Sequence, residues 1–268
     1  MLFRSDESYV KNVTKDLIIQ EVNVDALEVK TVSVHKDDEL MSISEGTDYS
    51  VIVSGGKSNN KWVTNSYKFN KDLFADNGRY HIVILTQDDA KNKASNENVA
   101  KDRSRELPVK FVVDHSAPEV LITNLNFENA VNTGEEDAKE YVYGDGEGEK
   151  QLYSESSKKV IVTVKDPNLF QSIPASDDDS AMEKAIAKAK EQNRYQVYLG
   201  TSDNIDQDKQ YLDYEITKIE NDEVELTMTI SATPDKAAQN LIVTANDVVG
   251  NKTIAKVTNF TLSATWLM

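Results

Sequence analysis

Apolar and polar residues alternate with a period of two through most of this chain, and that pattern is typical of half-buried β-strands. The clearest example in the first part is Leu27–Val34, which reads LEVKTVSV. Shorter runs of the same kind lie near residues 17–24, 40–43, 48–53, 62–69 and 80–85. We expect Trp62 to anchor the core of this part. Short strands at this spacing, separated by turn signals such as Asp76-Asn77-Gly78, predict an antiparallel sandwich.

The second part repeats the strand pattern but interrupts it twice. Strands are predicted near residues 120–125, 160–164, 195–199, 211–219, 224–230, 241–245 and 257–262. The acidic, glycine-rich stretch 129–157 lacks a clear pattern, so we interpret it as a long loop. Residues 180–192 change to a helical period, with Met182, Ile186 and Ala189 on one face and a capping box at Ser180 and Glu183. One inserted helix near 180–192 is therefore predicted.

A boundary between the two parts is predicted within Phe111–Val120, which reads FVVDHSAPEV. The apolar run ends at Asp114, whose side chain favours local backbone bonds over a sheet ladder. Pro118 then removes a backbone donor and restricts the residue before it, which predicts a short linker. A new apolar run follows at once. The sequence thus predicts two domains, residues 1–115 and residues 116–268.

An internal repeat supports this division. Tyr80–Lys93 and Gln239–Lys252 align without gaps, so that Asp88 matches Asp247 and Asn92 matches Asn251, each after an apolar run. An aspartate oxygen can accept loop N–H groups, while Asn and Gly tolerate positive φ. We interpret Asp88, Asn92, Asp247, Gly250 and Asn251 as structural turn residues, and metal binding by the same residues is the alternative.

Composition and charge exclude several functions. With 39% apolar and 28% charged residues the chain can form a core in each domain. A net charge of −16 argues against nucleic acid or anionic membranes as partners, because both require clustered Lys and Arg. The chain has no cysteine, which excludes disulfides and thiolate chemistry. No apolar run reaches the roughly 18 residues that would predict membrane insertion.

The junction and the two matched loops resemble the immunoglobulin-like repeats of large bacterial surface proteins, especially those of Gram-positive type. Hallmarks of such repeats are a D-x-x-G-N loop and a later strand ending F-x-x-D-x-T-A-P. The first copy here has Asp88, Asn92 and then Phe111 through Asp114 to Pro118, and the second copy has Asp247-Val248-Val249-Gly250-Asn251 followed by Phe260. The resemblance implies two tandem immunoglobulin-like β-sandwiches in an extracellular, cell-wall-associated or secreted protein. The start of the chain lacks a signal-peptide pattern, so that location would require a fragment of a longer protein.

This chain departs from the repeat pattern in two places. Lys91 stands where the pattern has glycine, so the first loop is expected to differ from the second. The second copy continues to Ser263 without the Asp…Pro linker, which fits a terminal or truncated repeat.

Residues that could carry chemistry are few. None of the familiar catalytic motifs is present, so we expect no enzymatic activity. Calcium is the one cofactor that the sequence leaves open, because a loop with EF-hand-like spacing offers four oxygen ligands, Asn204, Asp206, Asp208 and Glu215. Against it, Lys209 stands where an EF-hand needs glycine for its sharp turn. A solvated hairpin loop explains these residues more simply.

The sequence therefore favours a non-catalytic extracellular spacer or adhesion module of a bacterial surface protein. Its expected partners are neighbouring immunoglobulin-like domains of the same polypeptide and a host or matrix glycan or protein. The alternative is a carbohydrate- or protein-binding accessory module of a secreted multidomain enzyme. Exposed aromatic side chains would favour that alternative, and Tyr141, Tyr143 and Tyr153 are the candidates.

Overall fold

The computed structural model describes residues 8–24, 26–56, 61–96, 109–125, 131–132, 134–143, 151–153, 156–169, 184, 187–200, 209–220, 222–232 and 239–262. The chain divides into two compact units, Met1–His115 and Ser116–Met268. Strands dominate both units, as the alternating pattern predicts. The all-β prediction is confirmed.

The described strands of the first unit form two sheets. Its strands are β1 (Ser8–Val10), β2 (Leu17–Asn23), β3 (Leu27–Lys36), β4 (Glu39–Leu40), β5 (Tyr49–Gly56), β6 (Lys61–Phe69), β7 (Gly78–Asp88), β8 (Lys93–Ser95) and β9 (Val109–Val113). One sheet has the order β1-β9-β7-β3-β4, with β8 added to β7, and the other has the order β2-β6-β5. All pairs are antiparallel except β1 with β9, which are parallel.

This strand order is that of an immunoglobulin-like sandwich. In that fold the second, fifth and fourth strands form one sheet, and the third, sixth and seventh form the other. Here β2, β6 and β5 take the first set of places, and β3, β7 and β9 take the second. The short strand β1 crosses to the second sheet and pairs with its last strand.

The core of the first unit follows the period of two. Alternate residues of β2, β6 and β7 are buried, among them Leu17, Tyr67, Phe69 and Ile82, and β9 is buried at four of its five residues, including Phe111. A short 3-10 helix at Lys71–Phe74 adds Phe74, whose ring meets those of Tyr80 and Phe111 edge-on at centroid distances of 5.2 Å. Edge-to-face packing of this kind stabilises aromatic clusters beyond their buried area.

The expectation that Trp62 anchors this core is wrong. Its side chain is 61% exposed. The cause is register, because Val63, Asn65, Tyr67 and Phe69 of β6 point inward and the period of two places Trp62 on the outer face.

The second unit repeats the same plan. Its strands are β10 (Glu119–Thr123), β11 (Val131–Asn132), β12 (Ala138–Tyr143), β13 (Gln151–Tyr153), β14 (Ser157–Lys165), β15 (Tyr195–Gly200), β16 (Gln210–Tyr211), β17 (Glu215–Ile219), β18 (Glu223–Ser231), β19 (Gln239–Asn246) and β20 (Lys252–Leu262). One sheet has the order β10-β14-β18-β17, and the other β11-β12-β20-β19-β15-β16. The pairs β12–β20 and β13–β20 are parallel, matching β1–β9.

The predicted loop over 129–157 is wrong for part of its length. Within it, β12 runs parallel to β20 from Ala138 to Tyr143. The Tyr143 side chain is buried, and its hydroxyl donates to the Val120 carbonyl oxygen at 2.9 Å and accepts from the Ile122 amide at 3.2 Å. One tyrosine therefore joins β12 to β10 of the other sheet. The predicted strand 211–219 is likewise two strands, β16 and β17, which lie in different sheets.

The predicted helix is present where the structure describes it, at residues 184 and 187–191. Ala189 is buried in the core, whereas Met182 and Ile186 lie outside the described residues. The helix ends in a Schellman motif, since Arg194 N–H donates to the Ala189 carbonyl and Asn193 N–H to the Lys190 carbonyl. Asn193 has the positive φ of 50° that this ending requires.

Among the residues that the structure describes, no helix has both the length and the apolar character needed to cross a membrane.

Candidate functional site

The Asp88 loop of the first unit is closed by hydrogen bonds to one carboxylate. Asp88 Oδ1 accepts from the Asn92 amide at 2.8 Å, and Oδ2 accepts from Asn92 Nδ2 at 2.9 Å. The Asp88 amide donates to the Asn92 carbonyl at 3.0 Å. The pKa of the Asp88 carboxyl is held below its usual value. The largest cause is the hydrogen bond from the Asn92 side chain, and the second is the bond from the Asn92 backbone N–H.

The Asp247 loop of the second unit has the same arrangement with more bonds. Asp247 Oδ1 accepts from the amides of Val249, Gly250 and Asn251 at 2.8, 2.7 and 2.9 Å. Its Oδ2 accepts from Asn251 Nδ2 at 2.7 Å, and both Asp247 and Asn251 are buried. The Asp247 amide donates to the Asn251 carbonyl at 3.2 Å. These bonds use the aspartate oxygens to close a turn.

Lys91 does not move the first turn out of the backbone region that glycine adopts in the second. Lys91 adopts φ 69° and Gly250 adopts φ 89°, so both residues occupy the left-handed region. A lysine there is strained relative to glycine, because its Cβ approaches the following carbonyl oxygen. The first loop thus keeps the geometry of the second and accepts backbone strain.

A second aspartate lies beside Asp247 in the second unit, and the sequence did not indicate it as a site residue. Asp166 and Asp247 each place a carboxylate oxygen within 4.8 Å of the other, and both are buried. Asp166 Oδ1 accepts from the Asn168 amide at 2.6 Å, so it also organises the turn at Asp166-Pro167-Asn168. Two carboxylate oxygens are fewer than the six to eight ligands that calcium takes, so this pair alone does not define a calcium site.

A buried arginine belongs to the same end of the second unit. Arg194 Nη1 donates to the Leu169 carbonyl at 2.8 Å, and Nε donates to Gln192 Oε1 at 2.8 Å. Burial lowers the pKa of its guanidinium, while the charge of Asp247 opposes that shift. The guanidinium therefore hydrogen-bonds to a backbone carbonyl and a side-chain amide oxygen, as a buried charged group requires.

The predicted linker residues are bonded to their own units. In the first unit, Asp114 is buried and its amide donates to the Val10 carbonyl at 3.1 Å. In the second, the Ala117 amide donates to the Glu136 carbonyl at 2.8 Å, and the Pro118 carbonyl accepts from the Thr253 hydroxyl. Asn251 of the Asp247 loop donates through Nδ2 to the Ser116 carbonyl at 3.1 Å. The Asp247 loop and the strand after it therefore hold the first residues of the second unit in place.

The EF-hand-like candidates are only partly described. Glu215 is the first residue of β17 and is exposed. Asn204, Asp206 and Asp208 lie outside the described residues. Calcium binding by this loop stays a prediction.

An apolar strip on the first unit is a surface that the sequence did not predict. On the outer face of the β2-β6-β5 sheet, Ile18, Val22, Ile52 and Trp62 are 58%, 55%, 56% and 61% exposed. All four lie on one face but are staggered along it: Val22 is opposite Thr64, two residues from Trp62 on β6, whereas Ile52 is opposite Ser66 and Ile18 is opposite Lys68, further along that strand. The aromatic candidates of the second unit are less accessible: Tyr143 is buried, Tyr141 is half-buried, and the Tyr153 side chain lies outside the description.

A shallow polar cleft of about 210 Å³ lies elsewhere on the first unit, between Asp16, Tyr49, Lys68 and Asn70. Asp16 bonds Lys68 Nζ at 2.9 Å and the Lys71 amide at 3.0 Å, and the hydrogen bond from Lys68 lowers the pKa of its carboxyl. The lowered pKa keeps the Asp16 carboxylate ionised, and a carboxylate with a low pKa is a poor general base.

Comparison with known proteins adds little. No protein-family model matches the chain, and no curated protein matches it. Among solved structures, "Crystal Structure of Rst D1-D2" aligns over 98% of this chain and 97% of that chain, at 10% identity and a TM-score of 0.33. A marsupial T cell receptor aligns over 94% and 97%, at 12% identity and a TM-score of 0.24. Likenesses this weak carry no argument, and the immunoglobulin-like assignment rests on strand pairing.

Proposed function

We propose that this chain is a non-catalytic spacer and adhesion module of an extracellular bacterial surface protein. The observation that supports the proposal is the parallel pairing near the ends of each unit. A spacer on a cell surface must keep its fold when its two ends are pulled apart, and strand direction decides how the hydrogen bonds between end strands are loaded.

In the first unit, the first strand β1 pairs in parallel with the last strand β9. Ser8 lies opposite Phe111, and Val10 lies opposite Val113. Pulling the two ends of the unit apart slides parallel strands along each other, so all their bonds bear force together. An antiparallel pair joined at one end would instead open one bond at a time. A parallel pair loaded in shear therefore resists force better than an antiparallel pair that opens from one end.

The second unit also pairs a strand in parallel with its last strand, over a longer length, although β10 and β11 precede that strand. Six residues of β12, Ala138–Tyr143, pair in parallel with β20, and three residues of β13 extend the contact to Leu262. Its entry segment is held as well, because the carbonyl of Ser116 and that of Pro118 accept hydrogen bonds from Asn251 and Thr253.

Single-molecule pulling of the whole chain tests the proposal. Two unfolding events are expected. The gain in chain length at each event shows which unit has unfolded, because extended chain contributes about 3.3–3.6 Å per residue and the two units differ in size. Forced unfolding reports the unfolding barrier directly. We expect Val10→Pro in β1 to lower the force for the first unit well beyond the width of the wild-type distribution, since Val10 is a ladder residue, its carbonyl accepting from Asp114, and proline removes its donor.

The matched control is Leu40→Pro in β4, at the opposite edge of the same sheet. It should leave the unfolding force of the first unit unchanged, because β4 lies outside the force path. Equal losses of force in both variants, or unfolding of both units at forces near those of unstructured chain, would contradict a spacer role.

The alternative, carbohydrate or protein recognition, is supported by the apolar strip around Trp62. An exposed tryptophan with an aliphatic neighbour, Val22, and a hydroxyl neighbour, Thr64, on the same face is typical of binding surfaces. We expect glycan-array or matrix-protein binding by the wild type to fall at least about tenfold in Trp62→Ser. Leu121→Ser, which removes an exposed aliphatic side chain of the second unit, is the control. No binding, or binding that Trp62→Ser leaves unchanged, would remove this function from the strip.

A further inference from the structure

Two of the three histidines in the chain face each other on adjacent strands of the first unit. His35 of β3 is the direct cross-strand partner of His81 of β7. Their ring centroids are 5.9 Å apart, and the rings are tilted by 38°. We propose that His35 and His81 together bind one divalent transition-metal ion of the class that prefers imidazole, such as zinc, nickel or copper.

The ring separation fits a shared ion. A zinc–nitrogen bond is about 2.0–2.1 Å, so two imidazoles on one ion have centroids about 5–6.5 Å apart. The observed 5.9 Å lies within that range. Both side chains are half-buried, but Nε2 of His81 is itself buried, so His81 would bind the ion through Nδ1 or after rotation of its ring, and water would complete the coordination.

The backbone under the pair is well fixed. Strand β7 lies inside its sheet, between β3 and β9, and the neighbouring cross-strand pair, Val34 and Ile82, is buried in the core. Ligands placed on rigid strands lose little conformational freedom when they bind. The site therefore needs rotation of two side chains and no change of fold.

The surroundings favour a nitrogen-preferring metal. The residues opposite the pair on the flanking strands are Leu40 of β4, next to His35, and Lys110 of β9, next to His81. Neither offers an oxygen ligand, so calcium and magnesium gain nothing here, while imidazole suits zinc, nickel and copper. The Lys110 charge opposes any cation and limits the affinity.

Isothermal titration of the whole chain with nickel or copper(II), in about millimolar calcium to occupy carboxylate sites, tests the proposal. We expect one ion per chain, and a loss of at least about tenfold in affinity for both His35→Gln and His81→Gln. His115→Gln, which removes the third histidine, is the matched control and should bind as the wild type does. Lys110→Ala should bind more tightly, because it removes the repelling charge.

Copper(II) electron paramagnetic resonance gives an independent readout, with coupling to two nitrogens in the wild type and to fewer in either single variant. Circular dichroism melting without metal shows that each variant is folded. Because histidine must be neutral to bind metal, affinity should also be lower at about pH 5.5 than at about pH 7.5. Absence of binding, or equal affinity in His81→Gln and the wild type, would overturn the proposal, which stands apart from the spacer role.

Discussion

The Asp88 loop and the Asp247 loop are two versions of one turn in different surroundings. In the second unit Asp247 and Asn251 are buried, the turn closes on glycine, and its aspartate accepts three backbone amides in addition to Asn251 Nδ2. In the first unit the turn is at the surface and closes on Lys91. The comparison teaches that the Asp–Asn bonds determine the turn, whereas glycine only relieves its strain.

The largest expected effect comes from removing the two aspartates. Asp247→Ala should destabilise the second unit by about 3 kcal/mol, because it leaves the buried amide and side-chain donors of Asn251 and two part-buried loop amides without their acceptor. Asp88→Ala should destabilise the first unit much less, since water can replace the carboxylate there. Hydrogen–deuterium exchange resolved to each unit measures both losses, with Asp213→Ala on the surface as a control. Equal losses in both units would contradict the comparison.

A smaller effect is expected from exchanging the residues with positive φ. Gly250→Ala should destabilise the second unit by about 1 kcal/mol from backbone strain alone, since an added Cβ meets no atom within 4 Å. Lys91→Gly should be neutral or stabilising by less than about 1 kcal/mol, because relief of strain is offset by greater freedom of the unfolded chain. Urea unfolding of both variants gives the two values. A clear loss of stability in Lys91→Gly would show that Lys91 is not strained.

The smallest effect concerns pH. Hydrogen bonds to Asn92 lower the pKa of Asp88 in the folded state, so ionised Asp88 stabilises the first unit above the carboxyl's unfolded pKa. That contribution is lost as the pH falls through the folded pKa. The stability difference between the wild type and Asp88→Asn should therefore narrow between about pH 6 and about pH 3. Urea unfolding at several pH values in this range measures the difference in unfolding free energy. A difference that stays constant would show that the charge of Asp88 does not stabilise the loop.

Local signals were enough to predict most strands and both loops. Clean alternation located β3, and the repeated spacing of Asp88 and Asp247 located the turns, because both depend on residues close in sequence. The outward face of Trp62 could not be predicted in the same way, since a shift of one residue in register reverses every side chain of a strand. Its neighbour Val63 takes the inward place instead.

Features that depend on distant pairing were missed for a related reason. Strand β12 lies in an acidic, glycine-rich stretch and is defined by its parallel partner β20, more than a hundred residues later. The proximity of Asp166 to Asp247, and of His35 to His81, likewise requires strand order and register. Only the DPN turn at Asp166 gave a local signal, and that signal indicates a turn without indicating a neighbour.

The most direct test of the account is the direction of the strands that close each unit. Nuclear Overhauser contacts between backbone protons of isotope-labelled protein distinguish parallel from antiparallel neighbours. We predict the parallel pattern between β1 and β9 around Tyr9 and Val112, and between β12 and β20 around Tyr141 and Ala255. Antiparallel contacts at either place, or none, would contradict both the immunoglobulin-like topology and the shear loading proposed from it.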